Sequence, residues 1–103
     1  MKKIIKGKIY NTETAEKLFN VDNGLGHRDF NFYDFDVYKT KRGAYFIAGE
    51  GGPMTQFSIP VGNMFRGGSK LIPITIEEAM NYAESNISAD KMEEIFKDNI
   101  VEG

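Results

Sequence analysis

YKTKRGAYFIAGEGGP, residues 38–53, is the stretch that decides the fold predicted from this sequence. Residues 34–38 lead into it with alternating polar and apolar side chains, and residues 45–48 form a β-rich return. Gly43 marks a turn between the two segments, so the pattern predicts a β-hairpin. Three glycines and a proline in residues 49–53 favour neither a helix nor an ordinary strand. We therefore expect a structured loop directly after the hairpin.

Upstream of the hairpin, residues 2–10 alternate loosely and predict a short strand or a small hairpin. Asn11 or Thr12 is then expected to cap a helix that ends near Asn20. The apolar residues of this helix have the i, i+3, i+4 spacing of one helical face. They are Ala15, Leu18 and Phe19.

A second group of strands is expected on both sides of the hairpin. Residues 28–37 predict a strand whose alternation slips by one residue between Phe32 and Tyr33, which implies a bulge or a short turn there. Residues 54–59 predict a weak strand, and residues 61–69 are expected to be irregular.

Two helices are predicted at the C-terminal end. Thr75 followed by Glu78 forms a capping box that starts the first helix, and Ser88 caps a second helix that runs to about Asn99. The predicted fold class is therefore α+β. It is a twisted antiparallel β-sheet of about four strands, with one N-terminal helix and two C-terminal helices packed on it, in a single domain of residues 1–103.

Composition narrows the class of protein. The chain has 103 residues, no cysteine and a net charge of -2. The absence of cysteine excludes disulfides, a thiolate nucleophile and a cysteine metal site, and it fits a cytoplasmic protein. Lys6 and Lys8 interrupt the apolar residues near the N-terminus, so we expect neither a secretion signal nor a membrane partner. Charge is uneven, because residues 1–74 hold 11 Lys or Arg against 7 Asp or Glu and residues 75–103 hold 2 against 8.

Few residues have the pattern of a catalytic or metal site. Asp34 and Asp36 are two residues apart on a predicted strand, so both project from one face and can share a metal or a proton, but a solvated strand face has the same pattern. His27 is the only histidine, which excludes a two-histidine metal site and favours a surface residue. We expect a non-enzymatic protein with no catalytic residues, no metal and no cofactor.

Glu50 stands among the glycines of residues 49–53. The segment lacks the Gly-Lys-Ser/Thr ending of a phosphate-binding loop, and the glutamate would repel a phosphate. We expect Glu50 to pair with Arg66 or Lys70, either as a pair that specifies the fold or as a binding hot spot.

Two surfaces of opposite charge are candidates for binding. The predicted hairpin turn combines basic and aromatic side chains in the manner of a nucleic-acid contact, or forms a solvated turn. Those side chains are Tyr38, Lys39, Lys41, Arg42 and Tyr45. The last two helices carry acidic residues that can imitate a phosphate backbone toward a basic groove on a partner, or solvate the helices. These are Glu77, Glu78, Glu84, Asp90, Glu93, Glu94 and Asp98.

Several segments together resemble small, mostly uncharacterised proteins that recur on conjugative elements and prophages of Gram-positive bacteria. The matching pieces are KGKIY at 6–10, TETAE at 12–16, YKTKRG at 38–43, YF at 45–46, GEGGPM at 49–54, IPIT at 72–75, EEA at 77–79 and EEIF at 93–96. That set commonly has a tryptophan in the penultimate helix, where this chain has Tyr82-Ala83-Glu84. The resemblance implies an accessory role in conflicts between mobile elements and hosts, most specifically as an inhibitor of the anti-CRISPR type.

The leading functional hypothesis is therefore a protein that binds a CRISPR-Cas effector and blocks its access to nucleic acid. The residues expected to contact the protein partner are Glu50, Phe65, Arg66, Glu77, Glu84, Glu93 and Glu94. The alternative is a small module that binds RNA or single-stranded DNA through Lys39, Lys41, Arg42 and Tyr45. A small enzyme that uses Asp34, Asp36, Glu50 or His27 is a third hypothesis.

Overall fold

A computed structural model describes residues 1–103 as an α+β fold of eight strands, two α-helices and one short 3₁₀ helix. The strands are β1 (Lys2–Ile5), β2 (Lys8–Asn11), β3 (Glu16–Asp22), β4 (Tyr33–Lys39), β5 (Tyr45–Gly51), β6 (Ile59–Val61), β7 (Met64–Arg66) and β8 (Gly68–Ile74). The helices are α1 (Ile76–Asn86) and α2 (Ala89–Ile95), and the 3₁₀ helix spans Lys97–Asn99.

The centre of the fold is a four-stranded antiparallel sheet in the order β3-β4-β5-β8. The predicted hairpin is confirmed as β4 and β5. Its turn is closed by the Gly43 N–H, which donates to the carbonyl oxygen of Thr40 at 2.9 Å. Gly43 has a φ of 90°, a left-handed conformation that glycine adopts without steric cost. Of the two separate two-stranded sheets, β1-β2 precedes the central sheet in the chain, and β6-β7 is inserted between its strands β5 and β8.

Both faces of the central sheet are covered, because alternate residues of each strand point to opposite sides. One face packs against the helices, and its core includes Phe35, Ile47, Ala79, Ala83 and Phe96. The other face lies under the β1-β2 hairpin, and its core is Tyr10, Tyr38, Phe46, Ala48 and Leu71. In this second core the Tyr38 and Phe46 rings stack with centroids 4.9 Å apart, and Tyr10 meets Phe46 edge-on at 5.6 Å.

The predicted N-terminal helix is wrong, because the segment forms a turn followed by strand β3. The carbonyl oxygen of Asn11 accepts from the N–H groups of Thr14 and Ala15, which makes a single turn that does not continue. The pairing of β3 with β4 shifts between Lys17 and Phe19. This irregularity allows the adjacent residues Leu18 and Phe19 both to be buried, which a regular strand would place on opposite faces.

The expected glycine loop is also wrong at its start, because β5 continues through Gly51. Gly49 pairs with Phe35 on one side and with Lys70 on the other. A Cβ atom at Gly49 would collide with the backbone of Asp34 and Phe35. Glycine is therefore required here by a close approach between two strands, and not by a loop.

Three other sequence predictions are partly corrected. Residues 28–32 are not a strand, and the phase slip before Tyr33 is a turn in which the Phe32 N–H donates to Asp29 at 3.1 Å. Residues 54–58 form turns in place of a weak strand, and Phe57 within them is completely buried. The segment expected to be irregular contains the β6-β7 hairpin.

The C-terminal helices are confirmed. Thr75 and Glu78 form the capping box, in which the Glu78 N–H donates to Thr75 Oγ1 at 3.1 Å and the Thr75 N–H donates to Glu78 Oε1 at 3.0 Å. Ser88 caps α2, which ends at Ile95, earlier than predicted. Neither helix has the length and apolar composition needed to cross a bilayer.

Replacing Gly49 with alanine should destabilise the fold by at least about 2 kcal/mol, because the added methyl group forces β4 and β5 apart. Gly26→Ala is the matched control, since nothing lies within 4 Å of a Cβ atom there. Urea denaturation followed by circular dichroism measures both variants. Equal midpoints for Gly49→Ala and Gly26→Ala would contradict this account of the strand contact.

Candidate functional site

The C-terminal helices present an acidic surface that no basic side chain neutralises. The structure has two ion pairs, Lys17 with Asp36 and His27 with Glu50, and neither involves residues 75–103. All eight carboxylate residues of this region are exposed. Glu78 is engaged in the capping box, and the remaining seven carboxylates are free to meet cations from another molecule. We call these seven residues the acidic helix surface: Glu77, Glu84, Asp90, Glu93, Glu94, Asp98 and Glu102.

Two of these residues meet across a groove between α1 and α2. Glu84 of the first helix and Glu93 of the second line one cavity of about 430 Å³. Ile87 and Ser88 connect the two helices, and both have an extended backbone conformation. The apolar lining of the groove comes from Met80, Ala89, Met92, Ile100 and Val101. The predicted contact residues Glu77 and Glu94 are exposed but lie outside this groove.

The predicted contact residues Phe65 and Arg66 lie on the β6-β7 hairpin. Phe65 is 62% exposed and its neighbour Met64 is 74% exposed. Arg66 donates from Nη1 to the carbonyl oxygen of Gly67 at 3.2 Å. The turn of this hairpin contains Gly62, whose φ is 61°. A tight hairpin thus holds two large apolar side chains in solvent.

Glu50 is not paired with Arg66 or Lys70. Its Oε1 atom lies 2.8 Å from His27 Nε2, and the His27 ring packs on Phe32 with centroids 4.3 Å apart. Lys70 stands opposite Gly49 in the sheet, so Lys70 and Glu50 belong to opposite faces. Glu50 lies two residues after Ala48 in β5, so the two side chains point to the same face of the sheet. This is the face opposite the helices and away from the acidic helix surface.

Asp34 and Asp36 share one face of β4, as predicted. The side-chain amide of Asn20 bridges them, donating from Nδ2 to Asp34 Oδ1 at 2.8 Å and to Asp36 Oδ1 at 3.1 Å. Asp34 is also flanked by Asp22 on β3 and by Glu50 on β5, so three carboxylate residues form a row across the sheet. No group of three or more His, Asp or Glu side chains has the spacing to hold a metal ion.

The residues predicted to bind nucleic acid do not form one surface. Lys41 and Arg42 are exposed at the β4-β5 turn. Tyr45 is buried instead, with its ring centroid 6.0 Å from that of Phe96, and Lys39 Nζ lies 5.7 Å from the Tyr45 ring centroid. Tyr45 therefore offers no free ring face for a base. Its position in β5 directs it into the core between the sheet and the helices.

Sequence reasoning missed several residues of these surfaces. Asn20 had been assigned to a helix that does not exist, so its contact with two aspartates had no signal in the sequence. Lys8 lies with Lys41 and Arg42 around one cleft because β1-β2 packs on the central sheet, a tertiary contact with no local signal. Met80 and Met92 lie on different helices, so their role as groove lining depends on how α1 meets α2, a tertiary contact with no local signal.

Comparisons of this chain with protein-family models, with curated proteins and with solved structures find no match. The resemblance to proteins of Gram-positive mobile elements therefore stays a prediction from the sequence.

Because of the Tyr38 hydroxyl group, the stability of the fold decreases at high pH. Burial raises the pKa of Tyr38 above its ordinary value of 10.0, the Asp36 carboxylate adds to the increase, and Lys17 opposes it. The unfolded chain therefore loses this proton at a lower pH than the folded chain does. The contribution of Tyr38 to the free energy of unfolding is therefore fully present below a pH of about 10. It is lost as the pH rises above that value.

Replacing Tyr38 with phenylalanine should remove this part of the alkaline destabilisation. The free energy of unfolding, measured by urea denaturation at pH 9 and at higher pH values up to about 11, should fall less steeply for Tyr38→Phe than for the wild-type chain. The two proteins share every other ionisable side chain, so the difference between their curves reports the Tyr38 hydroxyl group. Parallel curves for the two proteins would show that the Tyr38 hydroxyl does not contribute.

Proposed function

We propose that this protein is a non-enzymatic binding protein of the bacterial cytoplasm whose acidic helix surface occupies a basic, nucleic-acid-binding groove on a partner protein. The partner class is a host defence nuclease, most specifically a CRISPR-Cas effector. Occupation of the groove excludes the nucleic acid and inhibits the nuclease without catalysis. The observation that carries the proposal is that none of the seven free carboxylates on α1, α2 and the C-terminal segment has a cationic partner within the chain.

Charge supports this partner class. A groove that binds nucleic acid is rich in Lys and Arg, and it attracts a surface of exposed carboxylates for the same reason that it attracts phosphates. Complementary charge accelerates the encounter between two proteins and disfavours partners of like charge. The basic residues Lys91 and Lys97 are too few to reverse the sign of this region, since residues 75–103 hold 2 Lys or Arg against 8 Asp or Glu.

The groove between α1 and α2 fits a basic side chain. The aliphatic stem of a Lys or Arg packs well on methionine side chains, because methionine is flexible and adapts its shape. Met80 and Met92 supply that lining, and Glu84 and Glu93 supply carboxylates for the charged head group. Charge-assisted hydrogen bonds from a guanidinium to carboxylates are among the stronger contacts at protein interfaces. We therefore place the central contact at Glu84 and Glu93, with Glu77 and Glu94 on its outside.

The β6-β7 hairpin supplies a second contact in this proposal. Exposed aromatic side chains that become buried on binding often dominate the affinity of an interface, and arginine shares this property. Phe65 and Arg66 are adjacent and exposed on this hairpin. Glu50 is left out of the proposed contact because it is paired with His27 on the other face of the sheet.

The test is DNA cleavage by purified, guide-loaded CRISPR effector nucleases from Gram-positive hosts, each incubated with an excess of this protein. We expect cleavage by at least one effector to stop, and a gel-shift assay to show that the effector no longer retains target DNA. The Glu84→Lys/Glu93→Lys variant should raise the half-inhibitory concentration at least about tenfold, because removing one partner of a buried, hydrogen-bonded charge pair at an interface costs about 2 kcal/mol or more.

Glu13→Lys/Glu16→Lys is the matched control, since both residues are exposed, lack ion pairs and lie outside the helices. This variant changes the net charge by the same amount and should inhibit like the wild-type chain. Equal loss of potency in the two variants would show that net charge, and not the α1-α2 groove, is responsible. Failure to inhibit any effector in the panel would overturn the assignment to this class of nuclease.

A further inference from the structure

A basic cleft lies where three connections of the chain meet. They are the turn between β1 and β2, the connection from β2 to β3, and the turn between β4 and β5. The cavity between them has a volume of about 730 Å³, within the usual range for small-ligand sites. Its charged and polar side chains are Lys8, Asn11, Thr14, Thr40, Lys41 and Arg42. The basic cleft contains none of the residues of the acidic helix surface.

The cations of the basic cleft have no partners in the protein. Neither ion pair of the structure includes Lys8, Lys41 or Arg42, and no Asp or Glu lines the cavity. Like charges that gather without a counterion repel one another, and an anionic ligand removes that repulsion. The three residues come from two hairpins that are far apart in sequence, so the tertiary fold assembles the cluster.

The walls of the cleft are fixed by hydrogen bonds. In the β4-β5 turn, the Thr40 N–H donates to Ala44 at 2.8 Å, and the Ala44 N–H donates to Thr40 Oγ1 at 3.0 Å. In the β2-β3 connection, Asn11 Oδ1 accepts from the Glu13 N–H at 2.9 Å. The Thr40 hydroxyl proton and the Asn11 amide NH₂ group make no such bond and remain available as donors. A ligand thus meets cations and neutral donors in a preformed cleft.

We propose that the basic cleft binds phosphate groups, carried either by a free nucleotide or by the backbone of a single-stranded nucleic acid. Three cationic side chains carry more positive charge than a ligand with a single carboxylate would neutralise. A guanidinium with flanking ammonium groups is a usual environment for phosphate oxygens. Tyr10 is the one aromatic residue that lines the cleft, and it is buried, so the bases have no exposed aromatic ring to stack on. Recognition is therefore of phosphate and independent of base identity. This site goes beyond the proposed inhibition and does not depend on it.

The experiment is fluorescence anisotropy of a labelled dT12 oligonucleotide titrated with the full chain at low salt, repeated with dA12 and dC12. We expect binding that weakens with salt and is similar for the three oligonucleotides. The variant Lys8→Ala/Lys41→Ala/Arg42→Ala should raise the Kd on the order of tenfold or more and reduce the salt dependence. The control Lys3→Ala/Lys91→Ala/Lys97→Ala removes the same charge from exposed residues outside the cleft and should change the Kd less than about threefold.

Competition with ATP distinguishes the two sources of phosphate. Displacement of dT12 by ATP assigns the cleft to free nucleotides, and displacement by unlabelled dT12 alone assigns it to a nucleic-acid backbone. Either result supports the proposal that the basic cleft binds phosphate groups. The proposal is overturned if neither dT12 nor ATP binds, if the control variant loses as much affinity as the cleft variant, or if one base is preferred more than about tenfold.

Discussion

Strand β5 is the constraint on which the rest of the structure depends. It is hydrogen-bonded to β4 on one side and to β8 on the other, and it is covered on both faces. Phe46 and Ile47 are adjacent, point to opposite faces and are both completely buried. A strand in this position needs apolar side chains at consecutive residues, which explains the unbroken run from Tyr45 to Ala48. Where the neighbouring strand comes closer still, at Gly49, no side chain is tolerated at all.

The parts of the fold that the sequence predicted correctly are those fixed by neighbours in the chain. The β4-β5 hairpin follows from alternation around Gly43, and the capping box follows from Thr75 and Glu78, which bond to each other directly. The N-terminal helix was wrong because the spacing of Leu18 and Phe19 fits both one face of a helix and an irregular strand that buries two adjacent residues. The glycine loop was wrong because the contact that requires Gly49 is made with a strand more than ten residues away.

The candidate sites likewise combine features that are fixed by neighbours in the chain with features that depend on tertiary packing. Helical spacing and composition were enough to identify the acidic residues of α1 and α2 as exposed. The meeting of Glu84 with Glu93, and of Lys8 with Lys41 and Arg42, depends on how separate elements pack and had no local signal. The basic cleft and the groove between α1 and α2 share no lining residue.

The chain between β5 and β8 leaves the sheet and returns to it at neighbouring positions, since Gly51 pairs with Gly68. Phe57 anchors the first part of this excursion in the core, whereas the β6-β7 hairpin beyond it extends into solvent. Changes of length or sequence in that hairpin leave the register of the sheet untouched. The hairpin tip can therefore change in length and sequence as a unit while the core of the fold stays in place.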